Sequence, residues 1–460
     1  MKPNQLKKLD RELHDYVAYL TDDMGRPERR QAMGEYINGL LLDGERKSVV
    51  PMANRMAEDE SDREGLRQRL QRCVKSSWED GELFRRIAAK LYRDLPDIEA
   101  FVLDDTGFAK KGKYSVGVAR QYSGTLGRTD NCQVAVSLHL ASEQGSGCIG
   151  FRLFLPESWT GDRDRCRAAG VPNDVQHAPK WKLALGLIDQ ALRWEIRPPV
   201  TLADCGYGDN KEFRDALTNR GLVYSVAVRG TTVVWRPGLV PSLPPRQPGR
   251  PGAPRTRPTM GNNRPVSISE LAKSLGRRAY RKVSWREGSQ GKMASYFAAV
   301  RIRTAQGHAH GDAPGEEQWL LCEWPKDEKE PTKFYLSTQS RACSLKTLVR
   351  TAHLRWRVER DYQDMKQEVG LDNYEGRTWR GFHHHAALCS AAHAFLALRR
   401  ALFPPAEGAV DPAVGSPSSP AGSDRQAVGL PALPAQAQPA LPSVWALASM
   451  TDGGAQNAIR

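Results

Sequence analysis

The sequence predicts an α/β protein: a mixed sheet with flanking helices, preceded by a helical segment and interrupted by a β-rich one. Three observations carry that prediction. Before residue 98 the apolar residues recur at helical spacing. From residue 99 short apolar or alternating runs of strand length begin, and helical segments are interleaved with them from residue 179. Between 230 and 342 strand-like runs return around a stretch rich in Pro, Arg and Gly.

Residues 1–97 read as helices through "LHDYVAYL", "EYINGLLL" and "ELFRRIAAKLY", while "GERKSVVPMANRM" reads as a basic helix start interrupted by Pro51. This is the candidate DNA-binding domain, although it carries no clear helix-turn-helix signature. Residues 98–229 give the first part of the α/β core. "EAFVLDD" is a short strand ending in two acids, "CQVAVSLHL" alternates, and "CIGFRLFLP" follows the turn "EQGSG". A long helix, "PKWKLALGLIDQALRWEI", precedes the strand "PVTLADCG", the helix "NKEFRDALTN" and the strand "LVYSVAVRG". Residues 230–342 form the β-rich insertion. Its "RPGLVPSLPPRQPGRPGAPRTRP" is an extended or disordered basic loop, and "YRKVSWREG", "YFAAVRIRTA", "QWLLCEW" and "KFYLSTQ" are its strands. Residues 343–402 return to the core with the helical "LKTLVRTAHLRWRVERDYQDMKQEVG" and the apolar helix "HHHAALCSAAHAFLALRRAL". The Pro- and Ala-rich tail, 403–460, cannot build a core and is expected to be disordered.

With 460 residues the chain has material for two or three domains. The net charge of +14, from 67 Lys plus Arg against 53 Asp plus Glu, suits a polyanionic partner whose counterions are released on binding. The 8 cysteines include no C-x-x-C pair and no zinc-finger spacing, so they read as reduced thiols. No apolar run reaches the roughly 18 residues of a membrane span. The N-terminus is too charged for the core of a signal peptide. A cytoplasmic protein is expected.

Three acidic positions stand out. Asp104 and Asp105 end the strand in "VLDDTG", and Asp204 ends another in "TLADCGYG". Strand ends followed by glycine turns present functional side chains in α/β sheets, although acids there also serve as caps. Glu359 lies on a helix where Arg355, Glu359, Tyr362 and Lys366 share one stripe at i, i+4, i+7 and i+11. An i,i+4 ion-pair ladder is the plain explanation of that stripe. Two strand-end aspartates and a helical glutamate can instead converge on a pair of divalent ions. Hard oxygen donors suit Mg²⁺, and two such ions about 4 Å apart serve in-line displacement at phosphorus.

The motifs resemble those of DDE transposases of bacterial insertion sequences, in the branch with a Y-x2-R-x3-E-x6-K signature and an RNase H-like catalytic domain. "RWRVERDYQDMK" supplies Arg355, Glu359 and Lys366 at that spacing, while Ala352 stands where the signature has tyrosine. "DDTGFAKKGKYSVGVARQYSG" and "LADCGYGD" resemble the two aspartate motifs. The likeness runs from about residue 30 to residue 400. It implies Asp104, Asp204 and Glu359 as catalytic metal ligands for two Mg²⁺ ions, with Mn²⁺ as a substitute. Asp105 stays open as the first acid, because neighbouring strand residues face opposite ways. It further implies cleavage at the element's terminal inverted repeats, transfer of the 3′-hydroxyl ends into double-stranded target DNA, and a homodimer bridging two ends. The long gap between Asp204 and Glu359 matches the insertion of that branch.

Arg355, Lys366, Tyr362, Lys110, Lys111 and Lys113 are the candidate DNA contacts, the last three in "GFAKKGK" just after the first acids. Trp285, Trp319 and Trp324 are either core residues or a stacking platform for a flipped base. His383, His384 and His385 cannot all ligate one ion, since consecutive helical residues point about 100° apart. They are expected at the surface or against DNA. Two rival readings share the residues: an RNase H-like nuclease or resolvase without strand transfer, and a domesticated DNA-binding protein that no longer cuts.

Overall fold

The computed structural model describes residues 3–125, 127–243, 258–288, 291–306 and 314–403. The expected disorder of the tail beyond residue 403 and of most of the basic loop, 244–257, falls outside the described residues.

Five helices open the chain: α1 (Pro3–Thr21), α2 (Pro27–Leu41), α3 (Val49–Met56), α4 (Glu60–Lys75) and α5 (Asp80–Asp94). Local chemistry sets their ends. Pro27 opens α2, and the Asp59 side chain caps α4 by accepting from the Asp62 amide. Pro51 does not interrupt its helix: it falls in the first turn of α3, where a missing N–H costs no helical bond. Leu83, Phe84, Ile87, Ala88 and Leu91 make the buried stripe of α5.

The α/β core follows: β1 (Ala100–Ala109), β2 (Ala119–Ser123), β3 (Arg128–Ala141), β4 (Ser146–Leu153), α6 (Glu157–Thr160), α7 (Arg163–Ala168), α8 (Lys180–Arg193), β5 (Val200–Ala203), α9 (Cys205–Gly208), α10 (Lys211–Asn219) and β6 (Tyr224–Val228). After them come β7 (Val233–Trp235), β8 (Val266–Ser267), α11 (Ile268–Ser274), β9 (Arg281–Gly288), β10 (Gly291–Thr304), β11 (Gln318–Glu323) and β12 (Lys333–Ser337). Three helices close the described chain: α12 (Leu345–His353), α13 (Trp356–Gln367) and α14 (Trp379–Leu402).

The strands form a mixed sheet in the order β2-β3-β1-β5-β6-β12-β11-β10-β7-β8, with β4 also on β3 and β9 on β10. β1 is antiparallel to β3 and parallel to β5, and β5 is parallel to β6. This is the mixed α/β architecture of an RNase H-like fold with N-terminal helices. The insertion strands do not make a sheet of their own: β12 pairs antiparallel with β6 and prolongs the central sheet.

Helix α14 is buried from Gly381 to Leu398 on every side. It lies on β4 and against α2, α4 and α5, so one apolar core joins the N-terminal helices to the sheet. Its histidines correct the sequence expectation. His383, His384 and His385 are neither surface nor DNA-facing but buried, because the helix has no solvent side along that stretch. Their ring nitrogens meet interior groups. His383 Nδ1 bonds Trp379 O, His384 stacks on Trp78 with centroids 3.7 Å apart, and His385 Nε2 bonds Gly370 O. No helix among the described residues is long and apolar enough to cross a membrane.

Two elements differ from expectation next to the acids. β1 does not end at Asp105 but runs on to Ala109, because β3 keeps pairing with it as far as Cys132. The helical stretch from Leu345 divides into α12 and α13 at Leu354–Arg355. There Arg357 N returns to Leu354 O and Val358 N to Arg355 O, three-residue closures that tighten the turn.

Candidate active site

The parallel register of β1 and β5 brings the first two acids together. Leu103 and Ala203 are the last paired residues of the two strands, so Asp104 and Asp204 follow side by side at the carboxyl end of β5. Asp104 Oδ1 accepts from the Asp105 amide at 2.8 Å. Asp204 is the cap of the one-turn α9, its Oδ1 accepting from the Gly206 amide at 2.9 Å. Gly208 closes that turn against β6, where a Cβ would collide with the carbonyl of Ala227. The second glycine of "DCGYG" therefore lets the Asp204 turn sit on the sheet.

Helix α13 supplies the third acid. Arg355, at the tightened turn before α13, donates Nη1 to Asp104 Oδ2 and Nη2 to Glu359 Oε1, each at 2.7 Å. The guanidinium thus links the strand acid to the helix acid, and the Glu359 side chain stays half exposed. Its neighbour in sequence goes elsewhere: Asp105 Oδ2 accepts from Lys180 Nζ on α8 at 2.9 Å. Of the two adjacent acids, Asp104 is the one held on the Glu359 side.

Electrostatics mark the same place. Burial, with the charges of Asp204 and Asp105 adding to it and Arg355 opposing, pushes the Asp104 carboxyl up to about 7. Burial also raises Asp204, with Asp105 contributing and Arg355 opposing. Arg355 is raised: burial works against its charge, and Asp104, Glu359 and Asp204 outweigh it. Tyr207, on α9, is buried among the three aspartates with a hydroxyl that meets no hydrogen-bond partner among the described residues.

Burial and crowding raise Asp104 and Asp204, and positive charge between their hard oxygens, as a divalent cation supplies, would relieve them. Among the described residues no three His, Cys, Asp or Glu side chains are grouped to hold one ion. Arg355 stands between two of the three acids.

The candidate DNA contacts separate into two groups. Lys111 and Lys113 are exposed. Lys366 donates to Gly107 O at 2.9 Å, beside the Phe108 ring, and burial lowers its pKa to about 8. Lys110 donates to Tyr374 O at 2.9 Å, and burial lowers it too. Tyr362 is buried and not open to DNA, with Oη 2.6 Å from Ser137 Oγ. The three tryptophans are engaged within the insertion and its neighbours. Trp285 lies 4.2 Å from the His353 ring, while the indole N–H groups of Trp319 and Trp324 donate to Ser340 O and Glu328 O. Sequence reasoning missed Lys180, Tyr207 and Ser137. Of these only Tyr207, inside the "DCGYGD" motif, carried a signal that could have found it.

Residues 19–292 match a family profile described as "DDE superfamily endonuclease". A curated relative, "Probable transposase for insertion sequence element IS701" of Microchaete diplosiphon, is 29% identical over 199 residues, which is 43% of this chain and 48% of that protein. The chain thus aligns with about half the length of that relative.

Proposed function

The chain belongs to the DDE superfamily endonuclease family, and from that membership we propose that it is a transposase that cuts and rejoins DNA at the ends of an insertion sequence. The observation that supports this most is the β1–β5 register, which sets Asp104 beside Asp204, together with the Arg355 link from Asp104 to Glu359. Asp104, Asp204 and Glu359 would hold two divalent ions, Mg²⁺ or Mn²⁺. When bound, such ions supply Lewis-acid stabilisation of the phosphoryl oxygens and a nucleophile at neutral pH.

The chain's own residues do the rest. Asp105, already paired with Lys180, is a supporting group and not the first ligand. Arg355, held between Asp104 and Glu359, and Lys366, bonded to Gly107 O, would have to leave those bonds to neutralise phosphates next to the scissile bond, whereas Lys111 and Lys113 are exposed for such contact. The DNA is double-stranded, terminal repeats and target alike, and a homodimer bridges two ends. Residues 1–97 serve DNA binding, 98–229 with 343–402 the chemistry, and 230–342 the insertion.

The test uses the DNA flanking the gene, with Mg²⁺ or Mn²⁺, comparing wild type with Glu359→Gln. Wild type should cleave ends and join them to a target plasmid, while the variant binds DNA and loses at least about 100-fold in cleavage. Cutting without joining would make the chain a nuclease. Binding without cutting by either protein would make it a DNA-binding relic.

A further inference from the structure

Asp361 and Tyr362 stand two and three residues beyond Glu359 on α13, turned into the protein. The proposed reaction uses neither. The Asp361 carboxylate accepts from Ser146 Oγ at 2.6 Å and pairs with His139 Nδ1 at 2.6 Å. His139 Nε2 lies 2.8 Å from Ser137 Oγ, which in turn lies 2.6 Å from Tyr362 Oη. All five residues are buried. The hydrogen bonds close a loop that leaves α13 at Asp361, crosses β3, and returns to α13 at Tyr362.

Ser137 is also the cross-strand partner of Asp104. One closed ring of bonds therefore ties the helix carrying Glu359 to the strand residue opposite Asp104. Ser137, His139 and Asp361 have the spacing of a hydrolase triad. Ser137 and His139 have no exposed surface and Tyr362 holds the Ser137 hydroxyl, so no substrate reaches it.

We propose that this ring is the device that fixes Glu359 against Asp104, with Tyr362 a positioning residue for the third carboxylate. The proposal rests on the reading of Asp104, Asp204 and Glu359 as metal ligands. Its physical basis is that, among the described residues, the hydrogen bond shown for the half-exposed Glu359 side chain comes from Arg355, at the turn before its own helix. A helix turns about 100° per residue, so a small rotation of α13 would carry that carboxylate off the site. Apolar packing alone tolerates such a rotation, whereas a fully satisfied buried polar ring accepts one register.

The experiment is calorimetric titration of the full chain with Mn²⁺, for wild type, Tyr362→Phe, Glu359→Gln and the double variant. Loss of the Tyr362–Ser137 bond, which acts on Glu359 only through α13, should weaken Mn²⁺ binding about tenfold in Tyr362→Phe, the lower end of what supporting groups cost. In the Glu359→Gln background the same change should matter by less than about twofold, because its effect passes through Glu359. Ser137→Ala removes the same bond from the other side; it should repeat the loss without adding to it, and it replaces Tyr362→Phe if that variant melts without cooperativity. Equal weakening in both backgrounds, or none in either, overturns the positioning role. If wild type and Glu359→Gln bind Mn²⁺ equally, the ligand reading of Glu359 fails first and the positioning role falls with it.

Discussion

Asp104 is the residue at which function and stability pull apart. Its carboxyl rises to about 7 in the fold, against roughly 3.9 in an unfolded chain. Below the lower value both states are protonated and the position is neutral. As pH rises from 3.9 to 7 the unfolded chain ionises first, so the fold loses stability; above 7 that loss is complete. Asparagine cannot ionise and escapes it. In chelator, Asp104→Asn should therefore gain about 2–3 kcal/mol relative to wild type between pH 5 and pH 8, while losing cleavage. Scanning calorimetry at the two pH values measures this. An unchanged difference would mean that Asp104 titrates as an ordinary surface acid. The sequence singles out these acids as candidates, through three motifs in order, but leaves their orientation open. The motif favours Asp104 with Asp105 as the alternative, and the strand pattern alone does not say which faces the site; β5 beside β1 and Lys180 on Asp105 are what set them apart. Tyr362 shows the converse: helical period gives its place beside Glu359 and Lys366, but not that Ser137, far away in sequence, bonds its hydroxyl in the interior.

At the scale of elements, the long strands and helices were legible because their apolar periods are long and clean, as in β3, α8 and β11. The short strands β2, β7 and β8 were not, since two to five residues carry too little pattern. Nor was the break before α13, which depends on three-residue closures that no residue type announces. The turn at α9 lies between these cases. "DCGYGD" signalled a tight turn, but which glycine is indispensable follows only from packing on β6. Gly208→Ala would drive its methyl into the Ala227 carbonyl, and neither backbone can yield cheaply. The variant should lose roughly 3 kcal/mol or more, as overpacked sites do. It should also misplace Asp204, which the same turn holds through the Gly206 amide. Urea unfolding together with Mn²⁺ titration separates the two losses. A variant as stable as wild type would show that α9 can lift off the sheet at little cost.

The whole molecule is built around α14, and here composition was the least informative guide. A polar, helical N-terminal segment reads as a helical domain for binding DNA. Its residues close over a helix with no exposed face between Gly381 and Leu398. Tyr16 donates to Ala391 O at 2.8 Å, Tyr36 Oη lies 3.0 Å from His385 Nδ1, and Arg399 pairs with Glu12. Both ring nitrogens of His384 face carbonyls of the α4–α5 region, Val74 O and Trp78 O. Removing residues 1–97 would expose one flank of α14, apolar side chains and buried histidines together, to water. The full chain should then unfold in urea as one cooperative transition seen alike by tryptophan fluorescence and circular dichroism. A chain of residues 98–403 should give no cooperative transition, or should aggregate. If that shorter chain instead melts cooperatively near the midpoint of the whole, the N-terminal helices are a detachable reader of DNA, and the contacts on α14 are only docking. If the shorter chain fails, any motion that DNA imposes on helices α1–α5 passes directly to α14, and through α13 packed against it to Glu359.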